Sequence, residues 1–266
     1  MSNYQPPVDE LLKYGDCRNQ TDWLNYVEEL QLEAKHIPEL IKMATDETLN
    51  YADPESQEVW SPLHAWRALG QLKASEALKP LLEMLDREPD DDWLREDLPT
   101  LCGHFGKESL PVLEKFLADA SYDVHTRNLI TEGLVIVVQQ YPETRESVVA
   151  TLVGELEKFR ENDDGLNGFL VCALVDLQAT EAIKTIRRAF QADRVDTRIM
   201  GDCEDVEVEL GLKTRKAIKK QPISHLEDLT SLARKKPNIN QSKDKKGFGQ
   251  PQQNNSRKSQ QQKKKK

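Results

Sequence analysis

From Leu63 to Leu85 apolar residues follow one another at the spacing of a helix face. Leu63, Trp66, Leu69 and Leu72 recur every third residue. After a short break, Ala77, Leu78, Leu81, Leu82 and Leu85 make a second stripe of about 3.6-residue period. Two helices joined by a tight turn are predicted. The pattern returns later in the chain. His64–Leu85 and Phe169–Phe190 align without gaps, 105 positions apart. Identical pairs are Ala68/Ala173, Leu69/Leu174, Leu72/Leu177, Ala74/Ala179, Glu76/Glu181, Ala77/Ala182 and Lys79/Lys184. That offset holds three units of about 35 residues, within the range of helical-pair repeats. Trp93–Leu117 supplies one intermediate unit, with Leu110, Leu113 and Leu117 in place of Leu78, Leu81 and Leu85. Val124–Phe159 supplies the other, with Pro142 at its turn. A two-helix unit cannot bury its apolar side alone, so units stack, and a solenoid is expected.

Local signals refine the units. Ser75 and Thr180 stand just before the second helices and are expected to cap them by accepting a backbone N–H. Glu76 and Glu181 then place negative charge at the positive end of the helix dipole. The acidic stretches Pro89–Asp92 and Asn162–Gly165 read as solvated breaks between units. Before the repeats, Pro7–Tyr14, Asp22–Leu32 and His36–Leu49 read as three helices, the last opened by Ile37-Pro38-Glu39. They are expected to cap the first unit. Beyond the fourth unit, Ile199, Val206, Val208 and Leu210 are expected to cover the other end. Ser224–Arg234 reads as a short helix, and from Lys235 onward the polar composition predicts disorder.

The division is therefore residues 1–58 as an N-terminal helical cap, 59–212 as repeats and C-terminal cap, and 213–266 as a basic, largely disordered tail. Charge supports the last boundary. The chain carries a formal net charge of −9. From Lys213 onward there are 17 Lys+Arg against 3 Asp+Glu, so a basic tail follows an acidic body.

The units resemble HEAT-like repeats of the phycobilisome-lyase type, a large bacterial group. Ala65, Leu69, Gly70, Glu76, Ala77, Pro80, Leu81, Leu82 and Leu85 carry that resemblance. It implies an all-α fold, an α-α superhelix of about four helical-pair repeats with a cap at each end, in the armadillo-like helical class. A longer resemblance covers roughly residues 4–212. Pro6–Leu12, His36–Ile41, Asp91-Asp92-Trp93 and Gly201–Val206 look like an uncharacterised bacterial group, similar to the domain of unknown function numbered 1186. Some relatives end in a cysteine-rich zinc motif. No cysteine follows Cys203 here, so that metal site does not carry over.

Catalytic signatures are missing: no His-Glu-x-x-His, Gly-x-Ser-x-Gly, P-loop or Gly-x-Gly-x-x-Gly. The aspartate runs lack the glycine and distal glutamate of a calcium loop. His64 and His104 lie on neighbouring first helices and, with Cys102, are the nearest approach to a metal site, one ligand short of a tetrahedral set. The reading is no metal, no cofactor and no enzyme. Cys102 and Cys172 are expected to fill small apolar spaces. Cys17, Cys102, Cys172 and Cys203 form no Cys-x-x-Cys motif, no segment is long and apolar enough to span a membrane, and the start carries no signal-peptide pattern. A cytoplasmic setting is expected.

What remains is binding. Trp60 and Trp93 stand near the starts of first helices and are candidate aromatic anchors, while Trp66 keeps the core spacing. Asp202, Glu204 and Asp205, in Gly201–Asp205, read either as a ligand site or as a turn and helix cap. In the tail, Lys243, Lys245, Lys246, Arg257, Lys258, Lys263, Lys264, Lys265 and Lys266 read either as a polyanion-binding stretch or as a solubilising one. Phe248 is the only aromatic side chain of Phe, Tyr or Trp type beside them. The expected function is a non-catalytic scaffold or adaptor for a protein partner. The alternatives are an RNA- or ribosome-associated protein held by its tail and, on fold analogy alone, a chromophore-lyase-type subunit.

Overall fold

A computed structural model describes residues 4–18, 22–87 and 91–214. Among these residues every regular element is a helix. A 3-10 turn at Val8–Lys13 leads to α1 (Tyr26–Glu29), a second 3-10 turn at Ala34–His36, α2 (Ile37–Ala44) and α3 (Glu47–Asn50). The longer helices follow: α4 (Ser61–Gln71), α5 (Leu78–Arg87), α6 (Asp92–Phe105), α7 (Leu110–Ala118), α8 (Val124–Gln140), α9 (Arg145–Leu156), α10 (Asp164–Asp176) and α11 (Ile183–Gln191). Short helices α12 (Thr197–Met200) and α13 (Cys203–Glu209) close the described chain.

Alternate helices touch. α2 packs on α4, α4 on α6, α6 on α8, α8 on α10 and α10 on α12. The intervening helices make a second row, with α7 on α9, α9 on α11 and α11 on α13. One continuous hydrophobic core lies between the rows. The first row is tightly packed. A Cβ added at Gly133 of α8 would lie 2.7 Å from the Sγ of Cys102 on α6, so only hydrogen fits there. Polar bonds join the second row. Thr151 donates to Glu114 at 3.0 Å, Thr185 donates to Glu157 at 2.6 Å, and Arg187 pairs with Glu207 at 2.6 Å.

The turns between the long helices share one construction. Each of α5, α7, α9 and α11 is entered through a 3-10 turn: Ser75–Ala77, Gly106–Ser109, Pro142–Thr144 and Thr180–Ala182. Ser75 and Thr180 do not cap. The residue before each of their turns is Ala74 or Ala179, and no side chain bonds the exposed amides there. Order at the turn comes from the preceding helix end. Lys73 (φ 55°) and Gln178 (φ 51°) are left-handed. The N–H of Ala74 reaches the carbonyl of Leu69, that of Ala179 reaches Leu174, and both bonds define Schellman motifs. Lys73 and Gln178 are equivalent under the 105-residue self-match.

The first helices begin differently. Asp91, Asp123, Asp163 and Asp196 stand before α6, α8, α10 and α12, and each accepts a backbone N–H of the first turn. Asp91 and Asp163, in the two acidic stretches, are thus helix caps rather than merely parts of solvated breaks. Asn162 is buried, donating to the carbonyl of Glu155 at 3.0 Å.

Pro7–Tyr14 forms the expected short helix, of 3-10 type, over Val8–Lys13. The rest of the N-terminal region departs from expectation in two places. Asp22–Leu32 is helical only over α1, because Asn25 caps it and left-handed Gln31 (φ 51°) ends it. His36–Leu49 is two helices: Thr45 donates its hydroxyl back to the Ile41 carbonyl, and Asp46 caps a new helix by accepting from Thr48 N–H at 2.8 Å. At the other end Val206 and Leu210 are buried and Val208 is half-buried. Ile199 is half-buried over Gly168 of α10.

Candidate functional site

All residues of α4 from Ser61 to Gly70 are buried. A helix buried on every side needs cover on the face away from the core, and residues 14–18 and 22–27 supply it. They cross α4 and reach α6 as a strap. Ser61 donates to the Leu11 carbonyl at 3.3 Å just before it, and Gln71 donates to the Leu24 carbonyl at 2.6 Å near its end. Trp23 stacks on His104 of α6, centroids 5.0 Å apart and planes at 24°. Its ring also lies over Gly70, where an added Cβ would come within 3.4 Å of it and 2.9 Å of Leu101.

A polar seam runs beneath the strap. His64 is fully buried. Its Nε2 lies 2.7 Å from the carbonyl oxygen of Gly15, and its Nδ1 lies 2.7 Å from the Tyr26 hydroxyl. A carbonyl can only accept, so Nε2 carries the proton and Nδ1 accepts from Tyr26. The imidazole is therefore neutral with both nitrogens engaged. Burial holds its pKa below the ordinary value, the Arg67 charge lowers it further, and the Gly15 bond opposes both. Next to it Arg67 meets Asp97 of α6 through two hydrogen bonds, 2.6 Å from Nε and 3.1 Å from Nη2. The guanidinium also lies 5.1 Å from the Trp23 ring centroid and donates to the Cys17 sulfur at 3.7 Å.

This seam contains histidine, cysteine and carboxylate, yet its chemistry is that of a fixed network. Burial pushes the Cys17 thiol up, although Arg67 pulls the other way, so it is no thiolate nucleophile at neutral pH. His64 has no nitrogen open to a substrate. His104 faces Trp23, and burial followed by the Lys73 charge lowers its pKa. The two histidines and Cys102 do not converge. Cys102 sits against Gly133, fully buried and pushed up to about 12. Among the described residues no group of three or more His, Cys, Asp and Glu is placed to hold a metal ion. Cys102 fills a small apolar space as expected, whereas Cys172 is only half-buried.

The candidate anchors Trp60 and Trp93 meet each other, edge to face, with centroids 5.4 Å apart. Trp60 is buried, immediately before α4; Trp93 is half-buried in the first turn of α6. Arg18, from the strap, lies 5.0 Å above the Trp60 ring. Trp66 is core, with its indole N–H donating to Asp97 at 2.9 Å.

The Gly201–Asp205 cluster lies far along the chain and has the geometry of a capping box. Asp202 accepts from the amides of Glu204 and Asp205 at 2.8 and 3.0 Å, and Asp205 accepts from the amide of Asp202 at 3.1 Å. Gly201 has φ +81°, a conformation that favours glycine, and a Cβ there would collide with the Asp205 carboxylate. Glu204 is exposed. The tail residues Lys243, Lys245, Lys246, Phe248, Arg257, Lys258 and Lys263–Lys266 lie outside the described residues, as do His225 and Ser224–Arg234. The last of the chain to be described includes Lys213, which pairs with Glu207 of α13.

Sequence reasoning missed the strap, Arg67 and Asp97. Their one visible signal is a charged residue inside an otherwise apolar stretch, Arg67 between Trp66 and Ala68.

Among the described residues no helix is long and apolar enough to cross a membrane. No curated protein matches this chain, and no solved structure matches it. A family model described as protein of unknown function (DUF1186) matches residues 25–231, most of the sequence, and the chain belongs to that family.

Proposed function

We propose that this protein is a non-catalytic adaptor, a HEAT-like solenoid whose second helices bind a protein partner. The observation that carries the reading is the two-row arrangement, α4-α6-α8-α10-α12 on one side and α7-α9-α11-α13 on the other. In stacked helix pairs of this kind the row of second helices lines a continuous binding surface. The exposed side chains there suit contact rather than catalysis: Lys79 and Glu83 on α5, Lys115 on α7, Ser147 and Ala150 on α9, Lys184 on α11. Four unbridged cysteines fit a reducing cytoplasmic setting.

Cross-linking of the full-length chain through lysine, in extract of its own cells, tests this. Links from Lys79, Lys115 and Lys184 to one partner are expected, and Ala150→Arg removes them. Links confined to the tail lysines overturn the reading.

The charge division favours a second reading, an RNA- or ribosome-associated protein held by residues 213–266, with 17 basic against 3 acidic residues there. Binding through that segment falls steeply with salt because counterions are released from phosphates. Affinity for RNA that ignores salt speaks against it.

A further inference from the structure

We propose that residues 14–18 and 22–27 form an acid-released latch: protonation of His64 frees this strap and bares the outer face of α4 and α6. The argument begins with the two partners of the imidazole. The Gly15 carbonyl can take only a proton from it, and Tyr26 gives its own proton to Nδ1. A protonated ring presents N–H on both sides. The Tyr26 hydroxyl must then turn its proton away, inside a site where both His64 and Tyr26 are fully buried.

The surroundings offer the cation no compensation. From the strap, Tyr14 and Tyr26 face the ring at centroid distances of 5.4 and 5.5 Å, and neither is anionic near neutral pH. The hydroxyl of Tyr14 is committed to Glu29 of α1 at 3.1 Å. Cys17 is held as a thiol by burial. From α4 itself comes Arg67, a like charge. From α6 comes Asp97, whose two oxygens hold Arg67 and Trp66. The Val8–Lys13 turn and α2 contribute the buried side chains Val8, Leu11, Leu40 and Met43 to the core. Among the described residues no carboxylate is hydrogen-bonded to His64. A charge placed here is uncompensated, and the route to water is to lift the strap.

The strap is suited to lifting as a unit. Among its described residues there is no regular helix before Tyr26, and its links to α4 and α6 include the His64 bonds, the bonds of Gln71 to Leu24 and Val27, the contacts of Arg67 with Cys17 and Trp23, and the Trp23–His104 stack. Segments held by few bonds open below the global unfolding free energy. Release exposes Gly70 and His104, the seat of Trp23, as an aromatic-sized site beside Arg67 and Asp97.

Hydrogen exchange of the full-length chain, corrected for the intrinsic rate of exchange, tests this at about pH 7.5 and about pH 5. Amides of residues 14–18 and 22–27 are expected to exchange about tenfold faster, or more, at the lower pH, while α8 and α10 keep their protection. His64→Gln keeps a neutral donor and acceptor at the same place and removes the change. His104→Gln retains it. In the unsubstituted protein the NMR titration of the His64 ring and the release of the strap share one midpoint. Uniform loss of protection, no gain in residues 14–18 and 22–27, a midpoint apart from that of His64, or a change that follows His104 instead, overturns the proposal.

Discussion

Asp97 holds Arg67 through both carboxylate oxygens, across the boundary between α6 and α4, with both side chains about nine-tenths buried. The same Oδ2 that takes the 2.6 Å bond also accepts from Trp66. Breaking such a pair strands a buried charge, so Asp97→Ala is expected to lower stability by about 3–5 kcal/mol. Arg67→Met with Asp97→Leu, which removes both charges, is expected to lose less than Asp97→Ala alone. Urea unfolding of the three proteins measures the comparison. A small loss for the single change means the pair contributes little.

Lys73 and Gln178 occupy left-handed positions where their side chains crowd the backbone. Replacing either with glycine is expected to stabilise the protein by about 0.5–1 kcal/mol. The two effects should add, since the sites lie in separate turns. The thermal midpoints of Lys73→Gly, Gln178→Gly and the double variant decide it, and a decrease in either single variant contradicts the left-handed assignment.

The contact between Gly133 and Cys102 predicts a rescue. Gly133→Ala forces a methyl group against the Cys102 sulfur and is expected to cost about 1–3 kcal/mol. Cys102→Ala beside it removes the obstacle and should recover part of that loss. If the double variant is no more stable than Gly133→Ala, the crowding lies elsewhere.

The cysteines should differ in alkylation of the folded protein. Cys17 and Cys102 are buried, and Cys102 is pushed up to about 12, so both are expected to stay unlabelled under native conditions. Cys172 and Cys203, half-buried, should react first, slowly because burial raises their thiols too. Peptide mapping after brief iodoacetamide treatment reads the order.

Acid should act in two stages. Below about pH 6.5 the unfolded chain binds protons that buried His64 and half-buried His104 refuse, so their stabilisation, complete above that pH, erodes as pH falls. Asp123 follows later. Burial alone would raise its pKa, but hydrogen bonds from Thr126 and His125 outweigh burial and hold it below the ordinary carboxylate value. Its contribution is present above about pH 4 and is lost as pH falls through the lower folded value. Urea midpoints across pH are expected to bend twice, and His64→Gln with His104→Gln should remove the upper bend. A single bend near pH 4 in the unsubstituted protein would contradict the histidine assignment.

Much of the helical framework was legible because its signals are periodic. The Leu63–Leu72 and Leu78–Leu85 stripes became α4 and α5, and the self-match placed Lys73 and Gln178 in like turns. The caps at Ser75 and Thr180 were misread because a short polar residue before a helix looks the same whether its side chain or the backbone closes the turn. The inverse error fell on two aspartates, Asp91 and Asp163, whose solvated appearance hid their capping bonds. The strap left no periodic trace. Gly15, Trp23 and Tyr26 gain their roles from α4 and α6, and Arg67 and Asp97 carry charges that composition assigns to a surface. Trp60 and Trp93 stand 33 positions apart in the sequence, and their pairing exists only in three dimensions.

The strap has a consequence for synthesis. It leaves the ribosome before α4 and α6, the helices that hold it, and so waits without a seat until they emerge. For that interval Trp23, Tyr14 and Tyr26 are newborn aromatics in water, open to a chaperone or to another nascent chain. The strap thus docks only after helices made later than itself have emerged.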